Sequence, residues 1–394
     1  LSIRRQRQMC IRDSLNNLLI LVWAAIFCFH KPSKNKNMIF LFLSFGQLYL
    51  LTIFRFLIGY DYVMYAKAFM DLQTQDFWNF TYYDWEYGFV FITKILGMIL
   101  PSYTSYFAVI AIFTLIPVAI FIYRNTEKVW IGTFMYINFF LFFMQMNFIR
   151  QAFAVSITLF AWQFIRKKKF FWFILVILFA SLLHSTVLIM IPFYFLAKMR
   201  PTGKQVIFYG YALTIFYFSS TGILNLITKI FHQEYNNTQF ITEGISLIYA
   251  VVPIIILLFT MLNAEKILKL NPDNRYVISM VFAGTFFMII MARHSILERF
   301  SYYFFIYIVL LVPELISSVE KYGFGRVKNN VMLPNETPIE DVKRFKDQSI
   351  ILTIVILVLS YAMFTYGMFE NAHGVVPYTC LLYTSPSPRD AHES

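Results

Sequence analysis

Residues 104–123 and 349–369 each run without one charged side chain, and stretches of similar apolar character recur at 15–30, 38–58, 206–228, 245–262, 276–292 and 301–318. A helix crossing the hydrocarbon core of a bilayer needs roughly 20 apolar residues, within a range of about 17–25. The chain is therefore expected to be an all-α, polytopic integral membrane protein. Its composition agrees, with 59% apolar and 14% charged residues, whereas a soluble domain carries about 25% charged residues and can bury its apolar ones. The same balance excludes a disordered chain, a disulfide scaffold and a free-standing nucleotide-binding domain.

The Lys and Arg residues cluster between those stretches, in KPSKNKN (31–37), RNTEK (124–128), RKKK (166–169), KMRPTGK (198–204), NAEKILKLNPDNR (263–275) and the polar loop 319–348. Basic loops stay on the cytoplasmic side of a membrane. The net charge of +12 is thus a mark of orientation, and no nucleic-acid partner is expected. Two segments then leave and regain the cytoplasmic side within short lengths. Residues 170–197 turn around His184, and residues 129–165 have Asn147, Arg150 and Gln151 near their apex. Polar backbone at membrane depth is tolerated where it is buried in protein or lines a cavity, so both turns are expected to lie inside the protein. Segment 87–100 is too short to span and is read as interfacial or re-entrant. About twelve crossings follow, short hairpins included, and no internal repeat divides the chain.

Residues 1–14 (LSIRRQRQMCIRDS) and 380–394 (CLLYTSPSPRDAHES) differ in composition from everything between them and resemble translated sequencing-adapter read-through. They are set apart from fold reasoning, which leaves 15–379 as one polytopic membrane domain. Cys10 and Cys380 fall in these ends. With Cys28 alone between them, no disulfide framework or cysteine metal site is available.

The external loop 59–86 holds Asp61, Asp71, Asp76, Asp84 and Glu86 against the single base Lys67, and ten of its 28 residues are aromatic. Aromatic faces stack on sugar C–H surfaces and carboxylates accept sugar hydroxyls, so Tyr65, Trp85 and Asp84 are candidates to bind a glycan. An interfacial aromatic belt with solvating acids has the same composition. Asp84 and Glu86 also have the spacing of a weak D-x-E cation pair, and no metal site is assigned from it. Arg150, in MNFIRQAFA, follows a nearly unbroken apolar run. An arginine at that depth is costly and is a functional-site candidate, its planar fork suited to phosphate, unless it snorkels to the interface. His184, in FASLLHSTVL, is either a proton acceptor or a phosphate contact, or an imidazole bonded to backbone or Ser185. Arg293, His294, Glu298 and Arg299 form an external turn whose two guanidiniums face the same side as Arg150. Arg55 and Lys229 are weaker, boundary-type candidates. Neither an ATP-binding G-x-x-x-x-G-K-[ST] loop, a G-x-G-x-x-G turn, H-E-x-x-H nor G-x-S-x-G occurs, so a nucleotide-driven pump or a membrane metalloprotease is unsupported.

The motifs DYVMYAKAF, WEYGF, NFIRQAFAVSI, RKKK followed by LLHSTVLIMIP, ERFSYYF and a terminal Pro377-Tyr378 appear in that order over most of residues 55–378. In this the chain resembles the EpsG family of exopolysaccharide polymerases, functional relatives of the Wzy O-antigen polymerases. The resemblance implies a GT-C-like membrane glycosyltransferase that polymerises polyprenyl-diphosphate-linked oligosaccharide repeat units at the outer face of a bacterial cytoplasmic membrane. It implies no nucleotide or other cofactor. Its partners are the lipid-linked oligosaccharide, membrane lipid, a flippase and a chain-length regulator. Asp61, Glu86, Arg150, Gln151, His184 and Arg299 are the positions carried over. On this view Arg150, Gln151, Arg299 and Arg293 hold the diphosphate, and His184, Glu86 and Asp61 are catalytic. A flippase for lipid-linked sugars, a membrane acyltransferase acting on surface polysaccharide and an O-antigen ligase are the competing readings.

Overall fold

A computed structural model describes residues 16–29, 32–199, 201–231, 243–325 and 339–375. The adapter-like ends, Pro377-Tyr378, most of the expected external loop 229–244, and Pro334 and Pro338 of loop 319–348 lie outside the described residues. The helices in chain order are α1 (Asn16–Phe27), α2 (Lys34–Ile53), α3 (Tyr62–Thr74), α4 (Tyr87–Ile99), α5 (Tyr103–Asn125), α6 (Val129–Asn138), α7 (Leu141–Asn147), α8 (Ile149–Arg166) and α9 (Phe170–Ser181). They continue with α10 (Met190–Leu196), α11 (Gly203–Phe231), α12 (Ile248–Leu262), α13 (Ala264–Leu270), α14 (Asn274–Ile290), α15 (Glu298–Phe305), α16 (Ile308–Tyr322) and α17 (Ile339–Phe369). This all-helical architecture, with its long apolar helices, fits a membrane protein.

Among the described residues, four helices have the length and composition of a full crossing: α2, α5, α11 and α17. Three bent pairs bring the number to seven if each is one span: α6 with α7 at 55°, α12 with α13 at 73°, and the Ser295–Phe305 segment with α16 at 51°. The expectation of about twelve combines eight apolar stretches with two crossings for each of the hairpins 129–165 and 170–197, and leaves 87–100 out as interfacial or re-entrant. α4 is a short apolar helix where 87–100 was set apart, and the hairpin 170–197 is built from the short apolar helices α9 and Ser185–Leu196. The break between α6 and α7 sits at Phe140, whose φ of 61° is left-handed, a conformation that costs a non-glycine residue about 1–3 kcal/mol. It ends one helix early, and α8 then begins afresh at Ile149.

The basic loops come together at one end of the bundle. Asn37 donates to the Glu127 carbonyl at 3.1 Å, Lys128 pairs with Glu320 at 2.6 Å, Arg166 with Asp273 at 2.8 Å, and Lys266 donates to the Gly323 carbonyl at 2.9 Å. At the other end Gly59 N–H donates to the Gly374 carbonyl at 3.0 Å, and Ser295 N–H to Glu243 at 2.9 Å. Between the ends lies an aromatic core in which Tyr136, Tyr302, Tyr303 and Tyr307 are fully buried. Close packing needs a gap in side-chain volume at Gly284, where an added Cβ would stand 2.6 Å from the Phe305 backbone nitrogen. That approach sets α15 against α14.

Candidate active site

Glu86 is the N-cap residue of α4, yet its carboxylate makes no cap bond to that helix. It reaches across instead. One oxygen, Oε2, accepts from Arg150 Nη1 at 2.7 Å. The other, Oε1, accepts the backbone N–H of Ser185 at 2.8 Å and its hydroxyl at 3.0 Å, and lies 3.0 Å from His184 Nδ1. Such a bond fixes the imidazole with its proton on Nδ1 and a lone pair on Nε2. Arg150 stands in the first turn of α8, where a cation opposes the helix dipole. Glu86 offsets that cost, and the Trp85 ring lies under the guanidinium at 4.9 Å.

The approach of Glu86 to His184 depends on Gly88. A Cβ there would come within 2.6 Å of the Leu182 carbonyl oxygen, so only glycine lets the start of α4 meet the turn after α9.

Beside this network lies a cavity of about 660 Å³, with Phe140, Met144, Phe148, Met288, Met291 and Met363 on its apolar wall and Asp61, Glu298, Arg299, Glu370 and His373 at its polar parts. The two clusters adjoin. The Gln151 amide donates to the Arg299 carbonyl, and the Arg299 guanidinium sits 5.2 Å over the Phe148 ring. Electrostatics separates the two carboxylates. Burial alone pushes Glu86 up, but the His184 hydrogen bond, the charges of His184 and Arg150, and the Ser185 N–H outweigh it and hold the group well below the usual carboxylate range. Asp61 goes the other way. Burial raises its carboxyl, and the charges of Arg299, Arg150 and His373 only partly oppose this. Two carboxylates driven apart in this way suit different tasks, one a fixed charge and one a proton carrier.

The sequence candidates therefore divide. Asp61, Glu86, Arg150, Gln151, His184 and Arg299 share this end of the molecule, and Asp61 and Arg299 line the cavity itself. Arg293 does not join them: it donates to the Tyr217 carbonyl on α11 and lies 5.3 Å over the Tyr217 ring. The 3-10 turn Ser295–Leu297 stands between it and Arg299, and the two guanidiniums leave on different sides. His294 also turns to α11, with Nε2 at 2.8 Å from Ser220 Oγ. Tyr65 is 3% exposed, its ring against Trp85 and Phe89. It therefore walls in Arg150 and offers no face to a sugar. Trp85 is half-buried beneath Tyr83 and Arg150, and Asp84 is exposed. With both Glu86 oxygens occupied and Asp84 facing outward, the D-x-E pair does not close on a cation, and no group of three His, Cys, Asp or Glu positioned for a metal occurs among the described residues. Arg55 is buried, donates to the Met146 carbonyl at 2.6 Å and so satisfies an acceptor at the end of α7. The side chain of Lys229 lies outside the described residues.

One cavity residue had no sequence signal. His373 follows α17 and folds back over the cavity, with Nε2 at 3.4 Å from Glu298 Oε1. Nothing in AHGVV marks it, because the contact bridges residues far apart in the chain.

Residues 38–333 match the model of the EpsG family. No curated protein and no solved structure matches the chain.

Proposed function

The chain belongs to the EpsG family, and on that footing we propose that it polymerises polyprenyl-diphosphate-linked oligosaccharide repeat units at the outer face of a bacterial cytoplasmic membrane. Family membership itself implies exopolysaccharide repeat-unit polymerase-type function. The observation that carries the finer reading is the cavity, which brings an apolar wall together with Asp61 and Arg299. An isoprenoid chain suits the wall, and its diphosphate suits the guanidinium.

In the proposed reaction the acceptor hydroxyl attacks the anomeric carbon of the donor. The new C–O bond forms as the bond to the diphosphate breaks, and the electron pair leaves with the diphosphate. Arg299 stabilises that charge, an effect worth about 2.7–4 kcal/mol for a fixed donor in other enzymes. Asp61, whose carboxyl is held up by burial, accepts the hydroxyl proton. The Glu86–Arg150–His184 network fixes the neighbouring wall, and His184, with its free Nε2, is the alternative acceptor. Glu86 itself is a poor one, because four hydrogen-bonding groups already engage it. The reading includes a GT-C-like arrangement of about twelve crossings over 15–379, and work alongside a flippase and a chain-length regulator.

The test is to incubate purified protein in nanodiscs with a synthetic diphosphate-linked repeat unit and resolve the products by gel. A ladder formed without added nucleotide supports the polymerase. Translocation across a liposome without elongation supports a flippase, and acyl transfer to the glycan supports an acyltransferase.

A further inference from the structure

Arg299 alone does not balance the charge that a diphosphate would bring to the cavity. Its lining carries three carboxylates, Asp61, Glu298 and Glu370, and one guanidinium, Arg299. Arg150 is not among the lining residues and is engaged by Glu86 at 2.7 Å. A pyrophosphate entering this lining adds further negative charge to an excess already present, so a second cation is needed at the same end. His373 is the titratable residue of the lining that can supply it.

The fold holds His373 in place at some cost. Its φ is 63° and that of Asn371 is 54°, both left-handed and both on non-glycine residues, a pattern that tertiary contacts must enforce and that clusters at functional sites. Those contacts are present. Asn147 Nδ2 donates to the His373 carbonyl at 2.8 Å, and Gly59 N–H donates to the Gly374 carbonyl at 3.0 Å. The imidazole is 8% exposed, with Nε2 at 3.4 Å from Glu298 Oε1 and its ring against Phe140 and Phe148. Residue 373 also lies beyond the residues that match the family.

We propose that His373, held against Glu298, is a substrate-binding residue that as an imidazolium joins Arg299 in contacting the leaving diphosphate. The Glu298 contact at 3.4 Å orients the ring, and the diphosphate takes its place at Nε2 when it binds. The charged and titratable groups that line the cavity with His373 are Glu298, Asp61, Arg299, Glu370, Tyr60, Tyr249 and Tyr366. Because the assignment rests on the polymerase reading, its test must separate the two.

Inorganic pyrophosphate serves as the first probe, by its shift of the melting temperature of the purified protein from pH 5.5 to 8.5. Wild type should show a larger shift at pH 5.5 than at pH 8.5. His373→Gln should lose most of the shift at the acidic end, and His373→Lys, a cation at every pH used, should keep it throughout. In the ladder assay the KM for the diphosphate-linked donor should rise about tenfold in His373→Gln at pH 6, with kcat less affected, and recover in His373→Lys. A wild-type pH profile and KM in His373→Gln would overturn the assignment while leaving the polymerase intact. A wild-type protein that neither responds to pyrophosphate nor elongates the donor would overturn both.

Discussion

Arg150 Nη1 and Glu86 Oε2 lie 2.7 Å apart with side chains 15% and 16% exposed, and this pair links the start of α4 to the first turn of α8. Removing one partner of such a pair leaves the other charge buried and costs about 3–5 kcal/mol. Arg150→Ala is therefore expected to lower the melting temperature markedly, and Arg150→Ala combined with Glu86→Gln to recover part of the loss. A double-mutant cycle on the purified protein checks this. Equal, additive losses would mean that the pair carries no coupling.

Arg299→Ala has a different expected profile. Its guanidinium lies over a phenylalanine ring at the cavity, so the protein should remain folded in the membrane. Elongation should fall about 10²–10³-fold, as when one charge-stabilising donor is removed elsewhere, and Arg299→Lys should restore part of it. Elongation rates beside melting curves give the measurement.

Asp61→Asn should separate stability from activity. Burial raises the Asp61 carboxyl, so its folded pKa exceeds its unfolded one. The cost of holding it ionised is fully present above the folded value and disappears as pH falls below it. The neutral amide avoids that cost, and the variant should melt no lower than wild type at pH 7 while losing about 10²–10⁴-fold in rate, the span for a general base. Glu86 has the opposite sign. Its folded pKa is depressed below the ordinary 4.5, so its contribution is present above that value and fades as pH drops toward the folded one. Glu86→Gln should remove that part of the acid sensitivity.

How much of this was legible in the sequence depends on the range of the contacts. Apolar stretches located several of the long helices to within a few residues: α5 spans Tyr103–Asn125 against an expected 104–123. The concentration of Arg150, Gln151, His184, Glu86 and Arg299 at one end followed from charge asymmetry among loops. The break at Phe140 left no trace, because a left-handed phenylalanine is imposed by packing and no glycine or proline marks it. Arg293 and Arg299 looked equivalent, since spacing along a turn does not say on which side of a 3-10 segment a side chain leaves. Tyr65 suited a sugar by its residue type, and only burial reveals that it faces inward.

Gly88→Ala tests the geometry without touching a polar group. The added methyl would meet the Leu182 carbonyl at 2.6 Å, forcing Glu86 away from Ser185 and His184. Misplacement of about 1 Å can cost about 10²-fold in rate, so kcat should fall while pyrophosphate still shifts the melting temperature. An unchanged kcat would show that the network beside the cavity does not set the geometry of the reaction.

Occupancy of the cavity by an isoprenoid diphosphate can be read by photo-crosslinking with a diazirine-bearing polyprenyl diphosphate, followed by peptide mass spectrometry. Labels are expected on the cavity wall, at Phe140, Met291 or Met363, and should fall when pyrophosphate competes and in Arg299→Ala. Labels confined to the outer faces of α11 or α5, indifferent to pyrophosphate and to Arg299, would contradict that occupancy.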